Sequence, residues 1–260
     1  MAGIYERLRD LLRDREPVAL ATVVAGPNVG AKLLVQPGRE VLGTLGDAGL
    51  DRVVARDTLA ELDAGLTSTR HYGVHGEARE EDVSVFIETF ALPPRMVIFG
   101  AVDFTASLAR VAKVLGYRVT VCDARAVFAT VRRFPMADEI VNDWPDRYLA
   151  KVGDDLGPRD AVCVLTHDHK FDVPAIAAAV RTNVGYLGAM GSRRTHEGRT
   201  RRLREAGLTE AEIARVMSPI GLDIGARTPE ETAVSICAEI IACRTGRRAQ
   251  SLRDTSGPIH

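Results

Sequence analysis

Residues suited to ligand binding follow three apolar runs in the second half of the sequence. A parallel α/β sheet binds its ligands outside the carboxyl ends of its strands, so these positions are candidates for a site. Glycines let a ligand approach backbone amides, and hydroxyl and guanidinium groups bind anions. The three segments are Gly100-Ala101-Val102-Asp103, Thr166-His167-Asp168 and Gly191-Ser192-Arg193.

The first segment stands where a dinucleotide-binding βαβ unit would hold a pyrophosphate. A strand-type run stops at Gly100 and a helical pattern begins almost at once. Val102 and Thr105 occupy the positions of the second and third fingerprint glycines. We expect Asp103 to lie at or near the helix N-cap, where its carboxylate takes the N–H groups that a phosphate would use. The pattern therefore favours a capped structural helix over a pyrophosphate site.

An acid also stands where such a unit would bind ribose. Asp123 ends the second strand, 23 positions after Gly100, and Arg125 follows two residues later. In dinucleotide-binding folds an acid at this place binds the ribose hydroxyls. The alternative is that Asp123 is only a polar residue at the end of a strand and binds no ligand.

The second segment contains a group of possible metal ligands. His167 and Asp168 are followed by His169 and Asp172. The histidines share one side only if the chain stays extended, so we interpret the segment as a ligand-contacting loop and assign no metal site.

The third segment favours an anion, through the backbone of Gly191 and the side chains of Ser192 and Arg193. The alternative is a solvated basic helix face from Arg193 to Arg204, which we favour for Arg199 to Arg204. No aromatic residues interleave the arginines, so nucleic-acid binding is not predicted. The loop Ser218–Glu231 either closes a site or connects two helices. No nucleophile has a placed base, so no catalytic residue is assigned.

The composition is that of an ordinary globular protein. The chain has 260 residues, 46% hydrophobic and 27% charged, and a formal net charge of −1. No global field therefore favours nucleic acid or acidic lipid. Cys122, Cys163, Cys237 and Cys243 form no C-x-x-C motif and are expected to be buried reduced thiols. With no apolar signal core and no run of ~20 apolar residues, we expect a cytoplasmic protein without a membrane span.

The order of predicted elements indicates two domains. Residues 1–91 read as a helix, short strands and a second helix, which is typical of a small α+β domain. Leu92-Pro93-Pro94 is the candidate linker. Strands and helices alternate over residues 95–245, which predicts a Rossmann-like, doubly wound parallel sheet. Residues 246–260 read as a polar tail.

Several motifs of the second half occur together in this sequence. They are Val97-Ile98-Phe99-Gly100-Ala101, Val119-Thr120-Val121-Cys122-Asp123-Ala124-Arg125, Arg133-Phe134-Pro135, Leu165-Thr166-His167-Asp168, Gly191-Ser192-Arg193, Pro219-Ile220-Gly221-Leu222-Asp223-Ile224-Gly225 and Thr228-Pro229-Glu230-Glu231. Together they resemble the XdhC/CoxI family, accessory proteins for molybdenum hydroxylases such as xanthine dehydrogenase and carbon monoxide dehydrogenase. The resemblance covers residues 95–245 closely, and the smaller domain resembles the family's in a degraded form.

The resemblance implies a non-catalytic carrier, often a homodimer. It implies binding of the molybdenum cofactor, protection of that cofactor during sulfuration, and delivery to a molybdenum hydroxylase apoenzyme. The cofactor's phosphate and pterin would suit Ser192, Arg193 and the edge Thr166–Asp168. The full set of implied cofactor-binding residues is Gly100, Ala101, Asp103, Asp123, Arg125, Thr166, His167, Asp168, Gly191, Ser192 and Arg193.

Two loops depart from the family pattern. After the first Rossmann strand the family usually has Gly-Ala-Gly-His, whereas this sequence has Gly100-Ala101-Val102-Asp103. In the smaller domain the family usually has a Gly-Gly-Gly run followed by a Glu, whereas this sequence has Gly46-Asp47-Ala48-Gly49-Leu50 in that region. We therefore hypothesise that this chain is a divergent member of the family whose ligand binding is altered or reduced. Two alternatives remain open: an NAD(P)-binding Rossmann oxidoreductase, and a regulatory module that has lost cofactor binding.

Overall fold

The structure, a computed structural model, describes residues 3–78 and 80–255. The chain divides into two compact units, Met1–Leu92 and Pro93–His260. The last part of the expected polar tail, residues 256–260, lies outside the described residues.

The first unit is an antiparallel sheet with helices on both faces. In its described part the strand order is β3-β2-β1-β5-β4. Leu34 of β2 packs with Leu11 of α1, whereas Leu33 and Val35 pack with α2, because neighbouring strand residues point to opposite faces. The elements are α1 (Ile4–Arg13), β1 (Val18–Ala25), β2 (Lys32–Val35), β3 (Leu42–Thr44), α2 (Ala48–Ala64), β4 (Ser68–Tyr72) and β5 (Val83–Phe90).

The second unit alternates strands and helices. Its elements are β6 (Arg95–Phe99), α3 (Asp103–Val114), β7 (Arg118–Cys122), β8 (Glu139–Val141), α4 (Pro145–Val152), β9 (Ala161–Val164), α5 (His169–Ala179), β10 (Tyr186–Ala189), α6 (Arg193–Glu205), α7 (Glu210–Ala214), β11 (Val216–Met217) and α8 (Pro229–Thr245).

The strands of the second unit form a parallel sheet in the order β11-β10-β9-β6-β7-β8. Met96 and Ile98 face a core formed with α3 and α8, and Val97 and Phe99 face a core with α4, α5 and α6. Both faces of β6 are thus buried, as its unbroken apolar run predicts. The predicted α/β class, a Rossmann-like doubly wound sheet with a smaller α+β domain, is confirmed.

The strand order reverses between β6 and β9, which pair through Phe99 and Val164. The helix that follows β6, α3, packs on one face of the sheet, and the helix that follows β9, α5, packs on the other face. In this fold, ligands bind at the carboxyl edge beside such a reversal.

Helical sequence patterns predict helices over Thr209–Val216 and Val173–Thr182, and the observed bounds differ in both. α7 ends at Ala214, and Val216 begins β11, a strand too short to show a periodic pattern. α5 begins at His169, because Asp168 caps it. Cys243 is exposed, although Cys122, Cys163 and Cys237 are buried as expected. In the described residues, no helix combines the length and the apolar character that crossing a membrane requires.

Candidate functional site

The carboxyl edge of the parallel sheet brings the predicted segments next to one another. Backbone hydrogen bonds continue past the strand ends, from Leu165 N to Phe99 O at 2.8 Å and from Met190 N to Val164 O at 2.8 Å. Gly100 N donates to Cys122 O at 2.9 Å on the other side. The residues that follow β7, β6, β9 and β10 are therefore neighbours along one edge.

Gly100 lies directly against the end of β9. Its φ of +111° falls in the region that favours glycine, and a Cβ atom there would lie 2.7 Å from the Thr166 methyl carbon and 3.0 Å from the Thr166 amide. The first fingerprint glycine is therefore required for packing two strand ends together, whatever else binds there.

Asp103 lies next to the N-cap of α3, as expected, but the prediction that its carboxylate caps the helix is wrong. The N-cap residue is Val102, which makes no side-chain hydrogen bond to the helix, and Asp103 is the first helical residue. Its side chain is 92% exposed and lies 3.4 Å from Nη2 of Arg133. At this position the carboxylate points outward instead of folding back over the first turn, so no side chain caps the helix.

Asp123 is fully engaged by the chain itself. Its Oδ2 accepts from Ala101 N and Arg125 Nη2, both at 2.8 Å, and its Oδ1 accepts from the Arg125 amide and Nε, both at 2.9 Å. The side chain is only 2% exposed. Burial alone would raise the pKa of Asp123, but the Arg125 guanidinium and the two amides outweigh it and hold that pKa below its usual value.

The guanidinium of Arg125 also lies over two aromatic rings. It lies 4.7 Å from the ring centre of Phe128 and 5.5 Å from that of Phe171, within the range of cation–π attraction. Phe171 in turn packs on Trp144, with ring centres 4.9 Å apart. We call Phe128, Arg125, Phe171 and Trp144 the Arg125 stack. It joins the segment after β7 to the first turn of α5 and the N-cap of α4.

A cleft of about 410 Å³ opens beside this stack. Arg133 contributes a second guanidinium, whose Nη1 donates to Ala101 O at 2.9 Å and to Phe128 O at 3.2 Å. We call this space the arginine cleft. The guanidinium groups favour an anionic ligand, and the aromatic ring favours a ligand with a planar part. One exposed carboxylate, that of Asp103, also lines the cleft. The cleft is lined by Ala101, Val102, Asp103, Arg125, Phe128 and Arg133.

A buried ion pair lies beneath the other part of the edge. Arg199 Nη2 is 2.9 Å from Asp172 Oδ2, and the side chains are 4% and 5% exposed. Arg199 also donates to Met190 O at 2.6 Å and to Ser218 Oγ at 3.0 Å, and Thr166 donates its hydroxyl to Asp172. Burial raises the pKa of Asp172, and the bonds from Thr166 and Arg199 offset this only in part. The expectation that Arg199 belongs to a solvated helix face is wrong.

Ser192 and Arg193 open α6. Ser192 is the N-cap residue, and its Oγ accepts from the Thr195 amide at 3.1 Å. A Cβ on Gly191 would lie 2.9 Å from the Thr195 side chain, so the turn requires glycine. Arg193 is exposed, and the first turn of α6 carries no acidic residue. The segment thus presents positive charge beside the end of β10.

The group His167, Asp168, His169 and Asp172 does not converge. Asp168 caps α5 by accepting from the Lys170 amide at 3.0 Å, and both histidines are exposed. Asp172 points inward to Arg199. Over residues 3–78 and 80–255, no group of three or more His, Cys, Asp or Glu side chains is arranged to hold a metal ion.

Sequence reasoning did not assign Arg133, Phe128, Phe171 and Trp144 to the site. Arg133 was visible as part of the Arg133-Phe134-Pro135 motif. The burial of Arg199 also has a signal, because Leu203 lies four residues later on the same helix face and is buried. The aromatic residues belong to separate segments, and no local pattern connects them.

Comparison with protein families matches both parts of the chain. Residues 96–240 match the model described as the XdhC Rossmann domain. Residues 11–73 match the model described as the XdhC and CoxI family.

Three curated relatives are similar in sequence. An uncharacterized Escherichia coli protein, YqeB, is 28% identical over 98% of this chain and 49% of its own length. A Bacillus subtilis protein described as a probable xanthine dehydrogenase subunit is 33% identical over 69% of this chain and 56% of its own length. The molybdenum cofactor insertion chaperone PaoD of E. coli is 32% identical over 41% of this chain and 33% of its own length. The chain spans about half the length, or less, of these relatives.

A solved structure has a similar fold. It is a Bacillus halodurans protein described as a xanthine dehydrogenase, with a TM-score of 0.53 and 21% identity, covering 95% of this chain and 97% of that one. At this identity the likeness concerns the fold alone.

Proposed function

The chain belongs to the XdhC and CoxI family, and from that premise we propose that it is an accessory protein in the maturation of a molybdenum hydroxylase of the xanthine dehydrogenase type. The names of two relatives, a molybdenum cofactor insertion chaperone and a probable xanthine dehydrogenase subunit, support this role. In this proposal the partner is the hydroxylase apoenzyme, and the protein acts in the cytoplasm as a homodimer. The proposed domains are residues 1–91 and 95–245, followed by a polar tail over 246–260.

We further propose that the arginine cleft holds the molybdenum cofactor. The cofactor carries a phosphate and a planar pterin. Arg133 supplies a guanidinium group for the phosphate, and the uncapped first turn of α3 adds the positive end of a helix, while Arg125 is paired with Asp123 at the edge of the cleft. The ring of Phe128 offers a face for the pterin. The residues present therefore fit the group, and their convergence beside the carboxyl ends of β6 and β7 is the observation that carries the proposal.

The neighbouring edge extends the proposed site. Thr166 lies against Gly100 and beside the buried ion pair, and Ser192 and Arg193 follow the next strand. The positive charge at the start of α6 would attract an anionic part of the ligand. His167 and Asp168 lie on the exposed rim of the same edge and are proposed to contact the ligand or the partner.

The proposal is tested by isolating the protein from cells that make molybdenum cofactor and measuring bound molybdenum and pterin. We expect both to co-purify with the wild type. Arg133→Ala removes one charged donor from the cleft, which we expect to weaken binding about tenfold or more, since a hydrogen bond to a charged group contributes about 1.5–3 kcal/mol. Arg132→Ala, an exposed neighbour, is the matched control and should bind normally.

Two results would contradict the proposal. One is wild-type protein free of pterin and molybdenum although the cells contain active molybdenum hydroxylase. The other is an equal loss of cofactor in Arg133→Ala and Arg132→Ala, because the exposed arginine lies outside the cleft.

A second candidate is a regulatory module that binds the hydroxylase without carrying cofactor. The observation that favours it is the carboxylate of Asp103, which lies 3.4 Å from Arg133 and offsets part of the positive charge of the cleft. Co-purification with a hydroxylase polypeptide, with cofactor absent from the complex, would favour this candidate. Replacing Asp103 with Asn would then increase the affinity of the cleft for inorganic phosphate.

A further inference from the structure

Asp123 stands at the ribose-binding position of the fold but has no lone pair left for a ribose. An ionised carboxylate offers about four acceptor sites. Ala101 N and three donors of Arg125 fill them at 2.8–2.9 Å. Because the carboxylate is also buried, a sugar hydroxyl could reach it only after the Arg125 side chain had left.

Arg125 also fills the place beside that position. Its planar guanidinium lies 4.7 Å from the ring centre of Phe128 and 5.5 Å from that of Phe171. Stacking a planar group against aromatic side chains is how proteins hold a nucleobase. One side chain thus makes both interactions that a nucleoside would make, a polar one with the acid and a stacked one with the rings.

The neighbourhood holds Arg125 in this position. Phe171 is supported from behind by Trp144, with ring centres 4.9 Å apart. The negative charges of Asp123 and Asp168 both favour the charged form of Arg125 and raise its pKa. Arg125 and Phe128 also line the arginine cleft.

We propose that Arg125 is a specificity-determining residue that occupies the nucleoside position of the fold. It restricts the arginine cleft to phosphate-bearing ligands that carry no nucleoside. Joined to the proposed function, on which this part rests, the protein binds the molybdenum cofactor without an attached nucleotide and rejects its dinucleotide form. The exclusion of nucleosides itself does not depend on the proposed function.

Adenosine 5′-monophosphate is the probe for the test, and Trp144 is the reporter. Trp144 is the single tryptophan of the chain and packs on Phe171, so its fluorescence responds to changes in the Arg125 stack. We expect no saturable response of the wild type to millimolar nucleotide. Arg125→Ala should bind it at least about tenfold more tightly than the wild type, and Arg132→Ala should behave as the wild type does. Equal nucleotide affinity in wild type and Arg125→Ala would overturn the proposal.

A double variant covers the case in which Arg125→Ala does not fold because Asp123 is left buried without a partner. Arg125→Ala combined with Asp123→Asn removes that charge, and circular dichroism checks that it is folded. We expect this variant to gain nucleotide binding over the wild type through the two rings. A folded double variant without any gain overturns the proposal.

The cofactor form is tested by titrating wild type and Arg125→Ala with both forms of the molybdenum cofactor. Binding of the nucleotide-free form alone by the wild type, and of the dinucleotide form by Arg125→Ala, supports the inference. Equal binding of both forms by the wild type overturns it. If neither form binds to any variant, the proposed function fails, while the result with adenosine 5′-monophosphate still decides the role of Arg125.

Discussion

Replacing Arg199 with Met should destabilise the second unit strongly. The change removes the contact with Asp172 and the hydrogen bonds to Met190 O and Ser218 Oγ, and leaves a carboxylate that is only 5% exposed without its charged partner. Breaking a buried pair in this way costs about 3–5 kcal/mol. Arg199 Nε is buried without an acceptor in the described part of the chain, and its removal returns about 1 kcal/mol. We therefore expect a loss of about 3 kcal/mol in the free energy of unfolding.

The loss should depend on pH. Burial already raises the pKa of Asp172, and without Arg199 this pKa rises further. A carboxyl whose pKa is higher in the folded than in the unfolded state binds its proton in the folded state first. Stability therefore falls as pH rises through the interval between the two values. The destabilisation caused by Arg199→Met should be smaller at pH 5 than at pH 8.

Urea unfolding followed by the fluorescence of Trp144 measures this loss, because the single tryptophan belongs to the second unit. Arg204→Met on the same helix is the matched control. Arg204 Nε lies 2.6 Å from Glu210 Oε1, but the two side chains are 54% and 71% exposed. Ion pairs at the surface contribute only about 0–1 kcal/mol to the free energy of unfolding. Equal losses in the two variants, or a loss in Arg199→Met that does not shrink at acid pH, would refute the reasoning.

Gly100→Ala should cost more than about 1 kcal/mol in thermal or urea unfolding, because it combines a positive φ with a methyl carbon 2.7 Å from the new Cβ. Gly116→Ala, with φ of +82° and open space around it, isolates the backbone part, and an equal cost would contradict the packing argument. In the first unit, the hydrogen bond and charge of Asp47 raise the pKa of His75. The pair therefore contributes stability at low pH that is lost as pH rises through that raised value. An NMR titration of His75 that gives the same pKa in wild type and Asp47→Asn would refute this.

The elements of the fold were largely predictable because local chemistry determines them. Val83–Phe90, where apolar and polar residues largely alternate, forms β5, and Glu139–Val141 forms β8. The Thr-x-x-Glu spacing of Thr228 and Glu231 forms a capping box at the start of α8, with the Glu231 amide 3.2 Å from Thr228 Oγ1 and the Thr228 amide 3.1 Å from Glu231 Oε2. Apolar runs, breakers and caps act over a few residues, so a sequence window contains the whole cause.

The chemistry of the candidate site was less predictable because its partners are distant in sequence. Arg199 is buried only because Asp172, Met190 and Ser218 receive its donors. Asp103 fails to cap α3 because the turn after β6 places the N-cap one residue earlier, at Val102. A one-residue difference decides whether a carboxylate caps the helix, and element boundaries read from sequence are not that precise.

The strand order also has a consequence for how the protein folds. β6 and β9 pair at the centre of the sheet, although α3, β7, β8 and α4 lie between them in the chain, and the Arg95 amide meets Asp160 Oδ1 at 2.6 Å across 65 positions. Closing so long a loop costs conformational entropy before the contacts between the two strands can stabilise it. Topologies rich in contacts between residues distant in sequence therefore fold slowly. We expect the β6–β7 pair to form early and β9 to join late. The core on both faces of the sheet, which contains the side chains of β9, and the edge where the chain leaves β6 and β9 would then be completed together and late.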